Sequence, residues 1–228
     1  MNNYPLPTTL PGPAGQLEIK AQGFDQPTIK GIAVVCHPHP LHGGTMTNKV
    51  VHFIARSLNE LGFAVLRFNF RGVGRSEGRF ADGIGETQDL LAVIDWIEAR
   101  YPGVPLWLAG FSFGAYVALR AVSQRPIQRL ITVAPAVHLY DFSKITLPAC
   151  PWLLIQGDAD EVVPHEKVVE WVKGLEKRPR TVYLKGVGHF FHGKLTLLRE
   201  VLLAALGPAA DQLADIDMGR FAVNTTTK

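Results

Sequence analysis

The segment Gly110-Phe111-Ser112-Phe113-Gly114 sets a serine between two glycines, the G-x-S-x-G spacing of an activated nucleophile. A hydroxyl attacks poorly by itself, so this chemistry needs a base within hydrogen-bond reach and a third group to orient that base. It also needs backbone N–H groups aimed at the oxygen that gains charge. Two downstream segments carry the first two requirements. Gly157-Asp158-Ala159-Asp160-Glu161-Val162-Val163-Pro164 offers three acids, and Gly186-Val187-Gly188-His189-Phe190-Phe191-His192-Gly193 offers two imidazoles. Upstream, His37-Pro38-His39-Pro40-Leu41-His42-Gly43-Gly44 offers a stiff loop with a few free N–H groups.

The elements around these segments decide whether they can meet. Ile32 to Cys36 is apolar at consecutive positions, as a strand covered on both faces would be. Phe63 to Phe68, Leu106 to Ala109, Leu130 to Ala134 and Trp152 to Ile155 read the same way, and Val182 to Leu184 can add a last strand. Gln16 to Ala21 alternates polar with apolar, the mark of a half-buried antiparallel strand. Between these runs the apolar spacing turns helical. Val50, Phe53, Ile54 and Leu58 share one face, as do Leu90, Leu91, Ile94 and Ile97, and Val168, Val169 and Val172 follow Pro164. Leu195 to Leu206 reads as a final helix stopped by Gly207-Pro208. Alternating strands and helices predict a mainly parallel central sheet with helices on both faces. The prolines at 5, 7, 11 and 13 predict that residues 1–15 form an extended entry segment, ahead of a single α/β domain over 16–208. Residues 209–228 read as a weakly patterned tail.

On such a sheet the serine lies at the turn from Leu106-Trp107-Leu108-Ala109 into the helix formers Ala115 to Arg120. A sharp turn there lifts the hydroxyl above the sheet edge, and flanking glycines leave room for it. The order expected after the serine is acid, then histidine. Asp160 has the best placement in its loop for the acid. Asp158 follows a glycine and can organise the turn, and Glu161 can be solvated. His189, after a glycine-rich turn, is the base, with His192 its neighbour and rival. Phe113, following the serine, offers one oxyanion N–H. Prolines have none, so Pro38 and Pro40 are excluded, which leaves His39 and Leu41 for the second donor; His39 is preferred.

The triple His37, His39 and His42 also resembles a metal-binding spacing, but Leu41 stands where an aspartate would be expected and no later cluster completes a site. We therefore expect no metal and no cofactor. Arg71-Gly72-Val73-Gly74-Arg75-Ser76 is glycine-rich without meeting the dinucleotide fingerprint, and reads as a loop past a strand that can line the pocket.

Composition narrows the function classes. Apolar residues make up 47% of the 228, enough for a large core, and the charge of +3 is small and scattered, so no nucleic-acid partner is expected. No signal sequence and no membrane-length apolar run is visible, and two cysteines suit free thiols in the cytoplasm.

Taken together, His37-Pro38-His39-Pro40 with Gly43-Gly44-Thr45-Met46, Leu66 to Gly72, the Ser112 pentapeptide, Tyr140-Asp141-Phe142-Ser143, Gly157 to Pro164 and Gly188 to Gly193 resemble small bacterial α/β-hydrolases. Those relatives are dienelactone-hydrolase-like, lidless serine esterases. The resemblance spans roughly residues 30–205. It implies the α/β-hydrolase fold, a Ser112–Asp160–His189 triad and hydrolysis of carboxylic esters. Dienelactone hydrolases carry a cysteine nucleophile, so Ser112 departs from them and their substrate does not carry over. Only seventeen residues separate Ala134 from Trp152, where lidded relatives insert a lid. A small-molecule ester or thioester with a short acyl group is therefore expected. Amidase or peptidase action with the same triad, or a silent binding protein on this fold, are the alternatives.

Overall fold

The computed structural model describes residues 6–208. Eight strands form one sheet in the order β1-β2-β4-β3-β5-β6-β7-β8. They are β1 (Thr9–Gly12), β2 (Gly15–Gln22), β3 (Gly31–Cys36), β4 (Phe63–Phe68), β5 (Leu106–Phe111), β6 (Arg129–Val133), β7 (Trp152–Gly157) and β8 (Arg180–Leu184). From β4 to β8 every pairing is parallel, while β2 runs antiparallel to both β1 and β4. This is the α/β-hydrolase fold.

Five helices connect the strands: α1 (Lys49–Glu60), α2 (Ile84–Arg100), α3 (Phe113–Val122), α4 (His165–Lys173) and α5 (Leu195–Leu206). Strand side chains alternate between two apolar layers, as the period of two demands. Ile32, Val34 and Cys36 face a core shared with α2, α3 and α4, while Ala33 and Val35 face one shared with α1 and α5. All six residues of β3 are buried, which is why the run carries no polar alternation. Asn48 starts α1 by accepting the N–H groups of Val50 and Val51 on its side-chain oxygen. No helix among the described residues is long and apolar enough to cross a membrane.

The sheet begins earlier than the sequence suggested. Thr9–Gly12 lies inside the segment expected to be merely extended, yet it pairs with β2, Leu10 opposite Leu17, and both leucines are buried. Pro11 is tolerated because β1 is an edge strand, where one missing N–H breaks no inner ladder. The expected tail over 209–228 lies outside the described residues.

Two features of this fold position a site. The chain leaves β3 for β4 on one side, then returns across β3 to form β5 on the other. The loops after β3 and β5 therefore part in opposite directions and leave a crevice beyond their carboxyl ends. The loop after β4 is pinned by a buried ion pair. Arg71 Nη2 lies 2.7 Å from Asp89 Oδ1, and Asp89 also accepts the Arg71 backbone N–H at 3.0 Å. The glycine-rich stretch is thus anchored through Arg71 to α2. Glu86, fully buried, accepts the N–H groups of Ala81 and Gly83 and fixes the turn into α2. Asp89→Ala leaves the guanidinium buried without its partner, and an expected loss of about 3–5 kcal/mol should appear in denaturant unfolding.

Candidate active site

The nucleophile turn is set by crowding. Ser112 adopts φ 55° and ψ −115°, a left-handed conformation that side chains rarely take, and its N–H donates to Val133 O at 2.9 Å. The flanking glycines answer a lack of space. A Cβ on Gly110 would lie 2.2 Å from Gly114 O, and one on Gly114 would lie 2.4 Å from Cys36 O and 2.6 Å from His37 O. Neither glycine has a positive φ, so close approach of β5, α3 and the end of β3 explains both.

Three side chains from three loops converge at this turn. His189 Nε2 lies 3.1 Å from Ser112 Oγ, and His189 Nδ1 lies 2.8 Å from Asp160 Oδ2. All three residues are buried. A carboxylate only accepts, so Nδ1 carries the proton and Nε2 is left to accept from the serine hydroxyl. The imidazole packs against Phe111 and Phe190, each with its ring centre 5.0 Å away.

Asp160 is held on every side. Oδ1 accepts from the N–H groups of Val162 at 2.9 Å and Val163 at 2.6 Å, and Oδ2 accepts from Gln156 Nε2 at 3.0 Å as well as from His189. Burial pushes the carboxyl pKa up, but the bonds from His189, Val163 and Val162 outweigh it and hold the group below the usual range. The acid is thus a carboxylate at neutral pH.

The other acids of the loop have different tasks. Asp158 accepts the N–H of Gly186 at 2.6 Å, and Glu161 accepts the N–H of His189 at 3.1 Å. Both fasten the turn that carries the imidazole. His192 is exposed, and it is the His189 ring that meets Ser112. Gln156 was not singled out from sequence; its signal is a polar residue at the end of an otherwise apolar strand.

The donors for an oxyanion can also be sorted. Phe113 opens α3, so its N–H has no partner within the helix. Of the two alternatives in the upstream loop, Leu41 N–H is occupied, donating to His39 Nδ1 at 3.1 Å. The N–H of His39 meets no protein acceptor among the described residues. The histidine triple does not form a metal centre. His37 spends both ring nitrogens on backbone, Nδ1 2.6 Å from Pro38 O and Nε2 accepting from Phe70 N–H at 3.0 Å. No group of three or more His, Cys, Asp or Glu side chains is placed to hold a metal ion among the described residues.

An eight-stranded sheet of this order, with a strained serine turn facing an imidazole and a carboxylate, defines an α/β serine hydrolase. A family model described as serine aminopeptidase, S33 matches residues 32–149, and the chain belongs to that family. Among solved structures it is similar to an α/β serine hydrolase without a lid from Xanthomonas campestris, with 46% identity and a TM-score of 0.84, covering 90% of this chain and 96% of that one. A serine hydrolase homologue from Coxiella burnetii gives 45% identity and a TM-score of 0.84, covering 91% and 99%. An uncharacterized protein of Rickettsia prowazekii is 38% identical over 193 residues, covering 80% of this chain and 81% of that protein.

Proposed function

We propose that the protein is a serine esterase that hydrolyses short-chain carboxylic esters through Ser112, His189 and Asp160 and an acyl-enzyme intermediate. The observation that carries this reading is the continuous line from Ser112 Oγ to His189 Nε2 at 3.1 Å and from His189 Nδ1 to Asp160 Oδ2 at 2.8 Å.

The steps follow from these atoms. As Ser112 Oγ bonds to the ester carbonyl carbon, its proton passes to His189 Nε2, and Asp160 holds the ring and stabilises the imidazolium. The carbonyl electron pair moves onto oxygen, which the N–H groups of Phe113 and His39 receive. Collapse breaks the bond to the alkoxide, which leaves with the proton from His189. Water then attacks the acyl-enzyme by the same route, and no metal or organic cofactor takes part.

The preference for short acyl groups rests on access. The connection from β6 to β7 contains no helix or strand, so it inserts no helical lid there. A panel of p-nitrophenyl esters, matched thioesters and anilides tests both parts. Hydrolysis of acetate and butyrate esters is expected to exceed that of dodecanoate and of the anilides. Faster cleavage of long-chain esters, or of anilides, would overturn the assignment. The anilides matter because the family's description names an aminopeptidase, which differs in the leaving group.

We place the protein in the cytoplasm, acting on a small-molecule ester or thioester without a nucleic-acid or membrane partner. Support comes from its two free thiols, Cys36 and Cys150, and its small net charge of +3.

A further inference from the structure

We propose that His37 is a positioning residue that aims the His39 N–H, one of the two oxyanion donors in the serine-hydrolase reading on which this inference rests. The donor N–H of His39 and the carbonyl of Pro38 are two ends of a single peptide unit. A trans peptide is planar, with its C=O and N–H pointing in opposite directions. Whatever grips the oxygen therefore sets the direction of the hydrogen. His37 Nδ1 lies 2.6 Å from Pro38 O.

The contacts of the ring fix its own state. Pro38 O has no proton, so Nδ1–H donates and Nε2 must accept, which it does from Phe70 N–H at 3.0 Å. Only the neutral ring with its proton on Nδ1 satisfies both bonds. Burial pushes the His37 pKa down to about 4, which keeps that form. Phe70 in turn is no loose anchor, because the next residue, Arg71, is tied to Asp89 through backbone and guanidinium. The Phe70 ring also packs on His37, with centres 4.6 Å apart.

The remaining groups of the loop make this grip specific to one peptide. His39 O accepts from Gly44 N–H at 3.0 Å and His42 N–H at 3.1 Å, so the far side is closed by backbone. On the near side, the Pro38–His39 unit is held by the His37 ring, which is itself fully buried. A buried imidazole costs the desolvation of two nitrogens, which an apolar side chain of similar size would avoid. Both nitrogens are instead bonded to backbone that flanks the crevice.

The test separates aiming from packing. His37→Phe should lower kcat on a short ester by about 10–100-fold, somewhat less than outright removal of an oxyanion donor, with KM changed less than about twofold. A short alkylboronic acid, whose boron accepts Ser112 Oγ while the hydroxyl proton passes to His189, should lose affinity by a similar factor. Binding of the product alcohol should not change. His37→Gln keeps one donor and one acceptor and should recover part of the loss. A folded His37→Phe with full kcat overturns the proposal, and so does a loss divided equally between kcat and KM. If that variant does not fold, amide NMR of the wild-type protein decides. Adding the boronic acid should move the His39 amide and leave Leu41 in place, and the reverse result overturns the proposal. The serine-hydrolase reading fails separately, on activity retained by Ser112→Ala.

Discussion

Ser112→Ala is expected to reduce kcat on a short p-nitrophenyl ester by about 10⁵–10⁶-fold, the scale seen when a serine nucleophile of this type is removed. The substitution is clean because the hydroxyl bonds to His189 while the fold uses the Ser112 backbone. The N–H to Val133 O and the carbonyl receiving Ala115 N–H are both unaffected by the change. Melting temperature should stay near wild type. Residual turnover should come from binding and the oxyanion donors alone. Two measurements check this: the p-nitrophenol burst in stopped flow, and the mass gained from an organophosphonate. Wild type should show both and the variant neither. A burst of wild-type size from Ser112→Ala would remove the nucleophile assignment.

Asp160→Asn is expected to lower kcat by about 10⁴-fold while also destabilising the protein. The carboxylate accepts four hydrogen bonds and donates none, two on each oxygen. An amide would turn its NH₂ toward donors already pointing at it. If the NH₂ faces Val162 and Val163, a buried N–H is left without an acceptor. If it faces His189, the ring must move its proton to Nε2 and can no longer accept from Ser112. The first arrangement costs stability and the second costs rate.

The pH dependence has a definite sign. Asp160 lies below its usual pKa when folded, so its contribution to stability is complete above the unfolded carboxylate value, about 3.9. It is lost as pH falls through the lower folded value. The stability gap between wild type and Asp160→Asn should therefore be large at pH 7 and shrink below about pH 4, as read from urea midpoints. A gap constant from pH 7 to 3 would mean that the carboxylate is not held as described.

The sheet was readable because its inner strands are covered on both faces. β3 stands out as an unbroken apolar run and β4 as one interrupted only by Arg67, and all six residues of each are buried. β1 was hidden for the opposite reason. At an edge, only Leu10 needs burial, and Pro11 argues against a strand unless the edge is known. At the site, local sequence specified the serine, because the turn requires a strand before it and a helix after it. Loop position alone put Asp160 ahead of Asp158 and Glu161 but could not show the contact with the ring. Asp158, Asp160 and Glu161 all accept backbone N–H groups from the turns that bring Asp160 and His189 together, and the bond from His189 Nδ1 shows that Asp160 faces the ring. Gln156 and the Arg71–Asp89 pair escaped notice for a related reason. Their partners lie elsewhere in the chain, and each residue alone looks like ordinary polarity.

The left-handed backbone at Ser112 has a cost that the rest of the molecule carries. A non-glycine residue held in so sparsely populated a region gives up about 1–3 kcal/mol. The eight-stranded frame thus works under a standing load at the point where its chemistry is done. Selection for robustness alone would favour glycine there, and would gain a sturdier fold at the expense of its reactivity.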